Sequence, residues 1–172
     1  LFALKKMGAK IKIKNGYIHA TAENGLKGNK IKFPSISVGA TENALIAASY
    51  AQGKTELINC AIEPEIQDLI NFLKKNGCKI KLDKKRTITI AGKFKSKVVK
   101  HSIMFDRIEL GTFLIASAII GNKINILKVD AKIIKKEIEI LKKMGVKMKI
   151  GKKKITVFKS SNIKKINIKT EP

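Results

Sequence analysis

Tryptophan is absent, and two tyrosines and seven phenylalanines bring the aromatic share of the 172 residues to only 5%. That leaves little ring surface on which nucleic-acid bases could stack. Arginine is nearly as scarce. Of 37 basic residues only Arg86 and Arg107 carry a guanidinium, so forked recognition of phosphate or guanine is poorly supplied. Cys60 and Cys78 are the only cysteines. They are too few for a disulfide framework and lack the spacing of a zinc site, which makes small core residues of both and sets a reducing cytoplasm as the expected compartment. No apolar run approaches the roughly 18 residues that span a bilayer. The longest, FLIASAII at residues 113–120, fits a buried helix, and no membrane partner is expected.

Acidic residues are also few, 13 against 37 basic ones, which gives a net charge of +24. Such a charge invites a nucleic-acid reading. The lysines, however, alternate with isoleucines, as Lys10, Lys12 and Lys14 do around Ile11 and Ile13. This is the pattern of a strand with one wet face, and a lysine-coated surface accounts for it. A hydrophobic content of 44% is enough for one or two domains with a real core.

One phrase is written three times: KKMGAKIKI at residues 5–13, KKNGCKIKL at 74–82 and KKMGVKMKI at 142–150. A longer unit surrounds it. An apolar helix comes first, at residues 42–51 before Gly53 or at 111–120 before Gly121. A short β-branched strand follows, at 55–60 or 123–129. Next is an amphipathic helix, in which Ile66, Leu69, Ile70 and Leu73 recur at helical spacing behind Pro64, ended by Gly77 as Gly8 and Gly145 end theirs. Then come two alternating strands and a further strand at residues 29–33, 96–100 or 164–169. The unit is βαβαββ, with helices apolar nearly all round that call for sheets about them. The first copy lacks its opening helix and strand, and the last stops where the others lead onward. An internal fragment of a longer repeated protein is therefore expected.

Between the strand at residues 29–33 and the apolar helix lies FPSISVGATENALIAA, residues 33–48. Ser37, Gly39 and Thr41 where a strand opens into a helix can offer hydroxyls, free N–H groups and a positive helix end to an anion. They can equally form an ordinary cap.

Together with EPEIQDLINFL (residues 63–73) and DRIELGTFLIASAI (residues 106–119), the segment GLKGNKIKFPSISVGATENALIAA (residues 25–48) resembles the UDP-N-acetylglucosamine 1-carboxyvinyltransferases. The match is collinear over essentially the whole chain. The resemblance implies an α/β fold of inside-out barrels built from three βαβαββ units each, truncated here at both ends. Residues 1–104 would be the back part of a first barrel domain and residues 105–172 the opening unit of a second. The implied reaction passes the enolpyruvyl group of phosphoenolpyruvate to the 3-hydroxyl of UDP-N-acetylglucosamine and releases phosphate, without metal or organic cofactor. The implied partners are those two substrates and the remainder of the chain.

Carried over by position, Ser35, Ile36, Ser37, Val38 and Gly39 correspond to the stretch that holds the nucleotide end of the sugar substrate. Ser35 stands where many relatives have lysine, a departure for which Lys30 or Lys32 could compensate. Glu63, Glu65, Asp106, Arg107 and Glu109 correspond to charged positions near the cleft between domains. Helix capping by Glu63 and Glu65, and an ion pair among Asp106, Arg107 and Glu109, are the structural alternatives. No catalytic residue is assigned within the chain, since the family's loop cysteine or aspartate and its general-base aspartate fall outside it. The shikimate-pathway transferase, a catalytically dead paralogue and a lysine-rich nucleic-acid binder are the competing readings.

Overall fold

A computed structural model of the chain describes residues 1–169. The chain divides into two compact units, Leu1–Ile103 and a second from Met104 onward.

In the first unit the elements follow in the order α1 (Phe2–Lys6), β1 (Lys10–Lys14), β2 (Tyr17–Thr21), β3 (Lys30–Lys32), α2 (Val38–Tyr50), β4 (Lys54–Ile58), α3 (Pro64–Lys75), β5 (Lys79–Leu82) and β6 (Ile88–Ala91). β1 and β2 form a hairpin through Asn15 and Gly16, both at positive φ (51° and 78°), the geometry of a two-residue turn. The remaining strands form one sheet in the order β3-β4-β6-β5, with β3 parallel to β4 and the other pairs antiparallel. Alternation then sorts the side chains. Ile31, Leu57, Ile88 and Ile90 are buried against α2 and α3, while Lys54, Lys79 and Lys81 are exposed.

The second unit contains α4 (Arg107–Ile120), β7 (Ile124–Leu127), α5 (Lys135–Lys143), β8 (Met148–Gly151) and β9 (Lys154–Val157), its sheet ordered β7-β9-β8. Leu114, Ile134, Ile155 and Val157 are its fully buried anchors.

The thrice-written phrase is a helix-ending device. Gly8, Gly77 and Gly145 all take left-handed backbone, with φ of 96°, 113° and 94°. Their N–H groups bond back to Lys5, Lys74 and Lys142 at 2.9–3.0 Å, and the N–H of the next residue reaches one carbonyl further, Ala9 to Leu4, Cys78 to Leu73 and Val146 to Leu141. Both orphan carbonyls of each last turn are thereby satisfied. In the second and third copies the residue after the glycine (Cys78, Val146) and the one it reaches (Leu73, Leu141) are buried in one core, which fixes the angle at which the next strand departs.

Three expectations need correction. Residues 96–100 and 164–169 are not strands. The equivalent segment of the first copy becomes β3 because it finds β4 of the following copy beside it. Residues 96–100 pair with no strand among the described residues, and Val98 is fully exposed; alternation without a partner makes no ladder. Gly53 does not cap α2, whose C-cap is the extended Ala51, whereas Gly121 does cap α4 in the left-handed region. Finally, the apolar helices are not buried all round within their units. α2 leaves Ile46 and Tyr50 exposed, and α4 leaves Ile108, Phe113, Ile115, Ile119 and Ile120 exposed, because each unit's sheet covers one face only. Neither the four-stranded nor the three-stranded sheet closes into a barrel.

Candidate functional site

Because β3 and β4 are parallel, both end at the same edge of the sheet, and each runs through a short loop into a helix. The two loops are tied together. Phe33 N–H donates to the Ile58 carbonyl at 2.9 Å, and Asn59, in left-handed backbone (φ 63°), returns its Nδ2–H to the Phe33 carbonyl at 3.0 Å. Thr41, one turn into α2 and fully buried, donates its hydroxyl to the Ser37 carbonyl at 2.8 Å and accepts the Ala61 N–H at 3.0 Å. The beginnings of α2 and α3 are thus fixed side by side.

Within this corner the stretch from Ser35 to Gly39 alternates. Ile36 and Val38 pack on the core, while Ser35, Ser37 and Gly39 face solvent. Ser37 is the N-cap of α2, extended at φ −149°, its Oγ accepting the Ala40 N–H at 3.3 Å. The N–H groups of Val38 and Gly39 precede the first intrahelical bond, and no acidic residue occupies the first turn, so the positive end of α2 is left uncompensated by its own helix. A Cβ on Gly39 would meet nothing within 4 Å, so the space in front of it is open. An anion could be met there by backbone N–H groups and two serine hydroxyls.

Glu63 and Glu65 stand at the start of α3, in the same corner. Glu63 does not cap its helix through its side chain; Oε2 instead accepts the preceding Ile62 N–H at 2.7 Å. Glu65 is the acidic residue of the first turn, where it favours the helix dipole. Asp106, Arg107 and Glu109 belong to the second unit. Asp106 is the N-cap of α4 and accepts the Ile108 and Glu109 N–H groups at 2.8 and 3.1 Å, which gives its carboxylate a structural task.

Arg86 was not singled out by sequence as a site residue, yet it comes to the same edge. Asp83 Oδ1 gathers the Lys85 and Thr87 N–H groups into a tight turn at 2.8 and 3.0 Å, and within it Arg86 adopts φ 56°. Its carbonyl accepts the Cys60 N–H at 2.9 Å and its Nη1 donates to the Cys60 carbonyl at 3.4 Å. The turn signature D-K-K-R-T was the available sequence signal.

Cys60 is fully buried, and burial pushes its thiol up to about 12; burial also raises Cys78. Neither is an activated nucleophile. Among the described residues no group of three or more His, Cys, Asp or Glu side chains is placed to hold a metal ion, and no helix is long and apolar enough to cross a membrane. A depression of about 520 Å³ lined by Lys54, Lys74, Lys79 and Lys81 lies where β4 and β5 begin and α3 ends. That is the end of the unit away from the corner, and its exposed lysines fit a solvated face.

Comparison with known proteins completes the description. The sequence model of the EPSP synthase (3-phosphoshikimate 1-carboxyvinyltransferase) family matches residues 1–172. The UDP-N-acetylglucosamine 1-carboxyvinyltransferase of Pelagibacter ubique is 55% identical over 172 residues, covering 100% of this chain and 41% of that protein. The protein of the same name from Endomicrobium trichonymphae is 44% identical, over 99% of this chain and 41% of its own length. Among solved structures, the enolpyruvyl transferase NikO from Streptomyces tendae shares the fold with a TM-score of 0.76 at 20% identity, over 91% of this chain and 40% of that one. EPSP synthase from Acinetobacter baumannii gives a TM-score of 0.68 at 23% identity, over 95% and 40%. The chain spans about two-fifths of the length of the curated relatives it matches.

Proposed function

The chain belongs to the EPSP synthase (3-phosphoshikimate 1-carboxyvinyltransferase) family, and on that premise we propose that the protein it represents transfers the enolpyruvyl group of phosphoenolpyruvate to the 3-hydroxyl of UDP-N-acetylglucosamine, with release of phosphate. This is the step that commits the sugar nucleotide to peptidoglycan precursor synthesis, in the cytoplasm. Residues 1–104 contribute the back part of a first inside-out barrel domain and residues 105–172 the opening unit of a second. Ser35, Ile36, Ser37, Val38 and Gly39 hold the nucleotide end of the sugar. Glu63 and Glu65 at the start of α3 and, separately, Asp106, Arg107 and Glu109 of the second unit are the charged positions proposed to serve the substrate.

The observation that carries this reading is the corner itself. Two parallel strands present two helix beginnings at one edge, clamped by Thr41, with Ser35, Ser37 and Gly39 facing outward in front of an uncompensated positive helix end. A diphosphate matches that arrangement of N–H groups and hydroxyls. Similarity to proteins named UDP-N-acetylglucosamine 1-carboxyvinyltransferase, one of them 55% identical over this whole chain, favours the sugar nucleotide over a shikimate phosphate as acceptor.

The deciding experiment gives the full-length protein phosphoenolpyruvate with either UDP-N-acetylglucosamine or shikimate 3-phosphate and follows phosphate release. Turnover with the sugar nucleotide alone is expected. Turnover with shikimate 3-phosphate alone would replace the acceptor. Absence of both, with salt-sensitive binding to unrelated DNA duplexes, would favour the lysine-rich nucleic-acid binder.

A further inference from the structure

After β6 the chain does not turn back into the sheet. Lys97 N–H donates to Asn76 Oδ1 at 2.9 Å, at the C-terminal end of α3. Four residues later, His101 Nε2 lies 3.2 Å from Asp68 Oδ1, two turns further toward the start of the same helix. The geometry is self-consistent. Eight residues of helix cover about 12 Å, and four residues of extended chain cover about 13 Å. Residues 97–101 therefore run as an extended strap antiparallel to α3, from its end toward the half that carries Glu63 and Glu65.

The strap has no ladder to hold it. Residues 96–100 pair with no strand among the described residues, and Val98 and Ile103 on either side of His101 are exposed. His101, like Val99, is partly covered. Its side chain is 10% exposed and that of Asp68 is 24% exposed. The imidazole also meets the ring of Phe72 edge-on, with centroids 5.4 Å apart and planes at 63°. Asp68 and Phe72 are four residues apart and so present one face of α3 to the histidine. Because a carboxylate accepts, Nε2 carries the hydrogen. Among the described residues Nδ1 is buried without a hydrogen-bond partner, so within them the ring is polar-bonded from one side only.

We propose that His101 is a latch: its hydrogen bond to Asp68 fastens the closing strap of the first unit along α3. Lys100, next to it on the strap, and Glu65, one turn before Asp68 on α3, are the neighbouring charged residues in sequence on the two elements. The latch stands independently of which substrate the corner takes.

Amide hydrogen exchange in the full-length protein tests it. In His101→Ala, the Lys97 amide, which donates to Asn76 where the strap meets the end of α3, should exchange roughly tenfold faster or more, the effect of losing one hydrogen bond to a charged group, while the amides of α2 and of the β1–β2 hairpin stay unchanged. His101→Gln keeps a donor and should restore protection; His101→Phe keeps the ring against Phe72 and should not. Unchanged exchange in the alanine variant would overturn the latch. So would rescue by phenylalanine but not glutamine, which would make the contact one of packing alone. If every amide of the unit accelerated together, His101 would be part of the core rather than a latch on it.

Discussion

The Thr41 hydroxyl accepts the Ala61 N–H at 3.0 Å while donating to the Ser37 carbonyl at 2.8 Å, so one buried oxygen joins the N-cap of α2 to the loop that begins α3. Thr41→Val keeps the shape and removes both bonds, leaving the Ala61 N–H orphaned. A loss of about 1–3 kcal/mol is expected in denaturant unfolding. Thr41→Ser should recover most of it, and no loss in the valine variant would show that the two loops are held by something else.

Ser35 is exposed in front of the α2 beginning, at a position where the family resemblance leads one to expect lysine. Ser35→Lys adds a cation to the proposed anion site without disturbing a buried contact. Titration calorimetry of the full-length protein should show UDP-N-acetylglucosamine binding more tightly and uridine unchanged. Equal gains for both would mean that the lysine acts on the nucleoside rather than on the diphosphate.

Two glycines should behave in opposite ways. A methyl at Gly92 would be driven into the Ala51 carbonyl and toward that of Ala48 at 2.8 Å, so Gly92→Ala should cost at least about 3 kcal/mol or prevent folding. A methyl at Gly39 meets nothing, and alanine is the better helix former by up to about 1 kcal/mol. Gly39→Ala should therefore hold or raise the melting temperature while weakening sugar-nucleotide binding. Intact binding would remove Gly39 from the site.

Cys60 predicts a pH dependence of stability. Burial raises its thiol from 9.0 to about 12, so the folded state retains a proton that the unfolded chain gives up earlier. The contribution is fully present below pH 9.0 and is lost as pH rises from there toward 12. Since lysines titrate in the same range, the readout is a difference: Cys60→Ser should flatten the alkaline fall in stability relative to the parent. In addition, thiol reagents at pH 8 should modify Cys60 only after denaturation.

What sequence disclosed and what it hid separate along physical lines. The helix ends at Gly8, Gly77 and Gly145, the amphipathic α3 behind Pro64 and the lysine-faced strands were legible because each is a local event, decided within a few residues. Residues 96–100 carry an equally good alternating pattern and fail as a strand, because a ladder needs a partner that lies elsewhere in the chain. The corner shows the same division. That Ser37 opens a helix could be read from residue types, but whether Glu63 faced its helix or its own neighbour depended on packing, and it faces the Ile62 N–H. Arg86 and Asn59 reach the corner through left-handed backbone and contacts 26 residues distant, which no spacing rule announces. Only the tight-turn composition around Asp83 hinted at the first.

β3, α2, β4, α3, β5 and β6 follow one another as a βαβαββ unit, and their four strands form a single sheet. The apolar helix looks like the start of a copy in sequence, but the strand before it, β3, is already the neighbour of β4. A cut at the start of α2 would leave one side with a strand and no sheet, and the other with β4 as a bare edge. A harmless cut would have to fall one strand earlier, between β2 and β3, out of phase with the helix that opens the copy in sequence.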